Sequence, residues 1–185
     1  LLHFSKDIHT KYFGLNYELK ELRPDELKGF LLEKDFKAIN VTIPYKESVL
    51  ECLDYISEDA KKIGAVNVIV NNNGLLEGYN TDYLGLKAMI EKSGVDLKGK
   101  KVLILGDGAT SKTALAVAED LGAHSVERVS RKSSDNTISY SVAENMIDTQ
   151  VIINTTPVGM YPNIDNLLID VDKYPNLCGV FDVIY

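Results

Sequence analysis

Two ionisable residues stand where a chain can aim them at a substrate. Lys46 closes the string NVTIPYK and Asp82 closes GYNTD. Each follows a strand-like run, so each can project from a strand end into a common cleft. An ammonium beside a carboxylate handles protons: burial lowers the lysine pKa and the carboxylate raises it. Such a pair suits removal of a hydroxyl proton while a hydride leaves the same carbon of a secondary alcohol. Taken singly, either residue is more often a surface charge. Asn40, Thr42, Asn67 and Asn80 fall at neighbouring strand ends. Short polar groups of this kind suit a polyhydroxylated ring, or else serve as caps and turns.

A hydride needs a carrier, and the second half of the chain offers a place for one. The apolar run Lys101 to Leu105 enters Gly106-Asp107-Gly108-Ala109-Thr110-Ser111, and a helical pattern follows. The first glycine allows a tight turn and the second lets a pyrophosphate approach the backbone. The helix N-terminus adds free N–H groups and a positive dipole end. Ser111 stands where a third glycine is usual, and a lone G-x-G also occurs in ordinary βα turns. About twenty residues further on, dinucleotide sites that prefer NAD place a carboxylate. This chain places Ser130-Arg131-Lys132 there. A guanidinium, an ammonium and a hydroxyl bind a 2′-phosphate that a carboxylate would repel, so the expected cofactor is NADP. The plainer alternative is a solvated basic turn. Asp107 lies between the two glycines, where it should repel anions and weaken cofactor binding without abolishing it. It either points to solvent or caps the helix.

The elements that must position these groups follow from the apolar pattern. A helix is expected from about Lys6 to Phe13, ended by Gly14, and a strand from Tyr17 to Leu22. RPDELKGFLLEKD reads as a helix with Pro24 in its first turn. Lys37 to Ile43 reads as a strand, PYKESVLECLDYI as a helix opened by Pro44, and Ser57 as the cap of a short helix reaching Ile63. AVNVIV and LLEGYN flank Asn71 to Gly74 as a hairpin. A long helix then starts at Thr81 or Asp82 as its cap and stops at Gly94. Beyond it, KKVLILG, SVERVS, QVIINTT and CGVFDVI read as strands of the buried parallel kind. Alternating strands and helices imply an α/β fold. The expected division is a substrate-binding and catalytic domain over residues 1–82, a linking helix over 83–97, and a nucleotide-binding domain over 98–185.

The 185 residues carry a formal net charge of −7. A chain this acidic is a poor match to a phosphate backbone, so any nucleotide must be held locally and no nucleic-acid partner is expected. Cys52 and Cys178 form no C-x-x-C pair, which speaks against a disulfide scaffold or zinc cluster and suits a reducing cytoplasm. No run approaches the ~20 apolar residues that span a bilayer. The chain starts at Leu1 and stops at Tyr185 directly after an apolar run, and both ends read as cut.

Together, NVTIPYK, GAVNV, GYNTD, LILGDGATSK, INTTPVGM and DVIY resemble the shikimate dehydrogenase family, in its order and spacing and over nearly the whole chain. The resemblance implies an α/β substrate domain followed by a Rossmann-type NADP-binding domain. It implies reversible NADP-dependent reduction of 3-dehydroshikimate to shikimate, in aromatic amino acid biosynthesis. It makes Lys46 and Asp82 the catalytic pair, and it implies that Ser5, Thr42, Asn67 and Tyr185 bind substrate. Gly106, Asp107, Gly108, Ala109, Thr110, Ser130, Arg131 and Lys132 fall to the cofactor, as do Glu58 and, near the nicotinamide, Val183. The implied assembly is a monomer or homodimer, with no metal. His3 departs from the pattern, standing where the family has the first serine of an S-x-S motif, as either a carboxylate ligand or a bystander. The segment from Ser133 to Gln150 is short of the family's helix. The family also continues past the tyrosine with a glutamine-bearing segment and helices.

Three other readings compete. One is a sibling enzyme acting on quinate or an amino-shikimate. Another is the methylenetetrahydrofolate dehydrogenase fold, against which the N-T-D and D-x-x-Y strings argue. The third is a non-catalytic nucleotide-binding or regulatory module, with Asp107 and His3 as marks of decay.

Overall fold

The structure, a computed structural model, describes residues 2–183, with residues 2–4 described as backbone only. The chain forms two compact units, Leu1–Asp35 and Phe36–Tyr185.

The smaller unit holds two helices, α1 (Leu2–Phe13) and α2 (Leu27–Glu33). Gly14 ends α1 at φ +64°, donating its N–H to the Thr10 carbonyl at 3.1 Å. A left-handed residue is the usual stop after a last helical turn. Residues 17–22, expected as a strand, are irregular. Side chains tie them to the two helices: the His9 ring stacks on Tyr17 at 4.7 Å, and Lys20 Nζ lies 4.8 Å from the Phe30 ring centre. Pro24 falls in the turn before α2 rather than in its first helical turn.

The larger unit contains two sheets. The first is mixed, in the order β1 (Ala38–Asn40), β3 (Val68–Asn72), β4 (Leu75–Tyr79), β2 (Tyr55–Ile56). The expected hairpin joins β3 to β4 through Asn73 and Gly74, at φ +53° and +90°. Two positive φ values are what a two-residue turn needs to match strand twist. The helix expected from Pro44 does not form. Pro44, Lys46 and Glu47 lie in turns, Ser48–Cys52 is a single 3-10 helix, and Tyr55–Ile56 pairs in parallel with β4. Two backbone bonds explain this: the Lys46 carbonyl accepts from Val66 N–H at 2.8 Å, and Leu50 N–H turns to Glu47 at 3.2 Å. The short helix α3 (Glu58–Ile63) starts as expected, with the Ser57 hydroxyl accepting from Ala60 N–H. The long helix α4 (Thr81–Ser93) ends at Gly94, but its cap is Asn80, whose side chain accepts from Tyr83 N–H.

The second sheet is wholly parallel. Its order is β7 (Ile138–Ser139), β6 (Ser125–Ser130), β5 (Lys101–Leu105), β8 (Val151–Asn154), β9 (Gly179–Asp182). Helix α5 (Ala109–Asp120) connects β5 to β6, and the single turn α6 (Tyr140–Ala143) follows β7. Alternation along the strands splits the apolar residues between two cores. Val102, Ile104, Val151 and Ile153 pack with α4 and α5, whereas Leu103, Leu105 and Ile152 pack with Ala143, Ile169 and Tyr174. Both faces are covered, which is why these strands read as unbroken apolar runs. After β5 the chain moves first to one side of it, to β6 and β7, and then to the other, to β8 and β9. The carboxyl ends of β5 and β8 therefore flank a topological switch point, where open α/β sheets bind ligands.

Candidate active site

A cleft of about 570 Å³ opens at that switch point. Gly106 to Thr110 form one wall and Thr155 to Val158 another. Val129, Ser130 and Arg131 come from the end of β6, and Ile43, Pro44, Lys46 and Glu47 from the turn after β1. Residues from the two sheets thus share one cavity.

The glycine turn is shaped by a close approach. Gly106 sits at φ +121°, and a Cβ there would lie 2.5 Å from Thr155 Oγ1. Thr155 is fixed in turn, because both its N–H and its hydroxyl donate to the Leu105 carbonyl, at 2.9 and 2.7 Å. Gly108 serves a different need: a Cβ there would meet nothing within 4 Å. It leaves open backbone in front of the α5 N-terminus, where N–H groups await an anion. These features fit the pyrophosphate of a dinucleotide. Ser130, its hydroxyl donating to the Lys132 carbonyl at 2.9 Å, folds the basic turn back on itself. Arg131 and Lys132 are exposed, and Arg131 also lines the cleft.

Lys46 and Asp82 meet, with Nζ and Oδ2 2.6 Å apart. The lysine side chain is 14% exposed and the carboxylate 41%, so the ammonium is withdrawn and the carboxylate faces solvent. Asp82 lies in the first turn of α4, where the helix dipole favours a negative charge. That turn is pinned by Asn67, whose Oδ1 accepts from Thr81 N–H at 2.8 Å and whose Nδ2 donates to Thr81 Oγ1 at 3.0 Å. Beside it, the buried Asn80 donates to the Ala65 carbonyl at 3.0 Å. The next residue after the lysine, Glu47, reaches the other way and pairs with Lys112 of α5 at 2.7 Å.

Comparison with known proteins identifies the family. A family model described as the shikimate dehydrogenase substrate binding domain matches residues 4–69. The NADP(+) shikimate dehydrogenase of Clostridium perfringens (strain ATCC 13124) is 37% identical over 98% of this chain and 73% of its own length. The chain belongs to the shikimate dehydrogenase family. Among solved structures, shikimate dehydrogenase 1 from Peptoclostridium difficile superposes with a TM-score of 0.83 at 34% identity, over all of this chain and 72% of that one. The shikimate 5-dehydrogenase of Thermus thermophilus, solved with NADP(H) and shikimate, gives 0.81 at 26% identity, again over all of this chain and 72% of its own.

For a shikimate dehydrogenase, the residues singled out in the sequence are placed unevenly. Lys46, Gly106, Asp107, Gly108, Ala109, Thr110, Ser130 and Arg131 line one cleft, and Asp82 joins through Lys46. Thr42 is exposed in the turn before Lys46, its carbonyl accepting from Tyr45 N–H at 2.9 Å. Glu58 does not line the cleft; it pairs with Lys61 at 2.8 Å and is 85% exposed. Val183 packs against the core, with its N–H on the Asn154 carbonyl. Ser5 belongs to the smaller unit, where its hydroxyl lies 3.4 Å from the Tyr17 hydroxyl. Tyr185 lies outside the described residues. Asp107 neither caps α5 nor stands alone: Arg128 NH1 is 3.2 Å from its Oδ1. Thr155, Thr156 and Arg128 carried no role in the sequence reading. For the two threonines a signal was present, since they end the buried apolar run QVIINTT. None of the described helices is long and apolar enough to cross a membrane.

Proposed function

We propose that this chain carries out NADP-dependent, reversible reduction of 3-dehydroshikimate to shikimate. The observation that carries the proposal is the 2.6 Å Lys46–Asp82 pair, with Lys46 on the wall of the cleft that also holds the glycine turn and Arg131. Bound NADP supplies the nicotinamide that exchanges hydride with the ring carbon. Gly106 and Gly108 admit the pyrophosphate, the α5 N-terminus meets its charge, and Ser130, Arg131 and Lys132 hold the 2′-phosphate. Lys46 gives or takes the proton on the reacting oxygen. Asp82 holds the ammonium in place and relays the proton to solvent through its exposed carboxylate. Thr42 and Asn67 meet ring hydroxyls, Asn67 also holds the Asp82 turn, and Ser5 and Tyr185 bind substrate. Residues 1–82 serve the substrate, 83–97 link, and 98–185 serve the cofactor. The setting is the cytoplasm, with the protein a monomer or homodimer.

The test is turnover by the full-length protein on shikimate and on quinate, each with NADP and NAD. The expected result is highest kcat/KM for shikimate with NADP. Faster turnover of quinate, or no turnover of either, would reject the assignment.

A further inference from the structure

We propose that Arg128 determines cofactor specificity by cancelling the charge of Asp107, which makes this glycine turn compatible with a dinucleotide bearing a 2′-phosphate. The inference rests on the NADP reading above.

A carboxylate stands in what should be an anion site. Asp107 sits between Gly106 and Gly108 and lines the same cleft as Ser130 and Arg131. An anion entering there meets a like charge beside the groups that should attract it, and the chain's overall charge of −7 offers no relief.

Arg128 supplies the local answer. The parallel register sets it beside Ile104 on β5, three residues before Asp107. Its side chain, only 11% exposed, holds NH1 3.2 Å from Asp107 Oδ1 and directs NH2 to the Asn136 carbonyl at 3.4 Å. Two acceptors fix the guanidinium plane, and low exposure limits screening by solvent. Arg131 is then free to meet the 2′-phosphate rather than neutralise the carboxylate.

NADP carries more negative charge than NAD at the end of β6, so loss of Arg128 should harm it more. A merely structural ion pair would change stability without changing the discrimination between cofactors. The experiment is calorimetric titration of the full-length protein with NADP and with NAD. Arg128→Met should raise the NADP Kd by about tenfold or more and the NAD Kd by about threefold at most. Adding Asp107→Asn to Arg128→Met should return the NADP Kd to within about threefold of wild type, because the charge to be cancelled has gone. Arg128→Lys keeps the charge and should also stay within about threefold. Arg128→Gln replaces Met should that variant not fold. An unchanged NADP Kd without Arg128, or failure of Asp107→Asn to restore it, overturns the proposal. A wild-type protein that binds NAD as tightly as NADP overturns the reading of Ser130–Lys132, and this inference with it.

Discussion

Gly106 and Gly108 are two glycines of one turn with opposite reasons to be glycine, and alanine substitution should separate them. At Gly106, φ is +121°, a conformation closed to residues with a Cβ. The added methyl would also lie 2.5 Å from Thr155 Oγ1 and 3.2 Å from Thr156 Cγ2. Thr155 cannot easily yield, since its hydroxyl is bonded to the Leu105 carbonyl at 2.7 Å. Backbone strain of about 1–3 kcal/mol plus overpacking of about 1–3 kcal/mol gives a cost of roughly 2–6 kcal/mol for Gly106→Ala. That is a large share of the ~5–15 kcal/mol that holds a typical protein folded. At Gly108, φ is −87° and the methyl meets nothing, so Gly108→Ala should change stability by less than about 0.5 kcal/mol. It should still weaken NADP, because the methyl stands where the pyrophosphate must approach. The assay is urea unfolding of the full-length protein alongside NADP titration. Repeating Gly106→Ala in a Thr155→Ala background should lower its cost by about 1–2 kcal/mol without removing it, since the φ strain and the Thr156 contact persist. A Gly106→Ala cost below about 0.5 kcal/mol, or one insensitive to Thr155, would refute this reasoning.

Other consequences follow from buried polar groups. The Ser111 hydroxyl is fully buried and has no hydrogen-bond partner among the described residues, so Ser111→Ala should raise the urea midpoint or leave it unchanged; a loss above about 1 kcal/mol would show a hidden partner. Asp120 accepts from Tyr83 Oη and from Lys62 Nζ, each at 2.6 Å. The hydrogen bond to Asp120, then burial, pushes the Tyr83 phenol up to about 12. A raised folded pKa gives stability that is complete below the ordinary phenol value of about 10 and lost as pH climbs through the folded one. Unfolding followed from pH 9 to 12 should therefore show falling stability, less steeply in Tyr83→Phe. Lys62, raised by the same carboxylate, and the likewise raised Lys61, Tyr79, Tyr140 and Tyr174 contribute the remainder, and identical slopes in wild type and Tyr83→Phe would contradict the assignment.

The parallel sheet was legible because β5 and β8 are buried on both faces and so carry no polar alternation to confuse with a helix. The hairpin was legible because Asn73-Gly74 is a turn with a mechanism. The chain around Lys46 was not. PYKESVLECLDYI has helical composition, but the Lys46 carbonyl goes to Val66 and Tyr55–Ile56 to a sheet edge, so tertiary pairing overrode local propensity. The cap of α4 was ambiguous for a simpler reason. Asn80, Thr81 and Asp82 can all cap, and the choice is made by Asn67, which takes Thr81 for itself. The Lys46–Asp82 pairing could be raised from two strand ends and made specific by the family motifs, since 36 residues separate the two and neither is distinctive alone. Arg128 was hidden, a single cation inside SVERVS whose meaning depends on the β5–β6 register. Asp107 was therefore read as an uncompensated charge.

In the proposed mechanism Lys46 handles the proton and does not hold the cofactor. This is tested most directly by kinetics and NADP titration of Lys46→Met in the full-length protein, with shikimate as substrate. The expected result is a fall in kcat of about 10²–10⁴-fold, with the NADP Kd within about threefold of wild type. A kcat within about tenfold of wild type, or a loss of NADP binding that matches the loss of turnover, would contradict it.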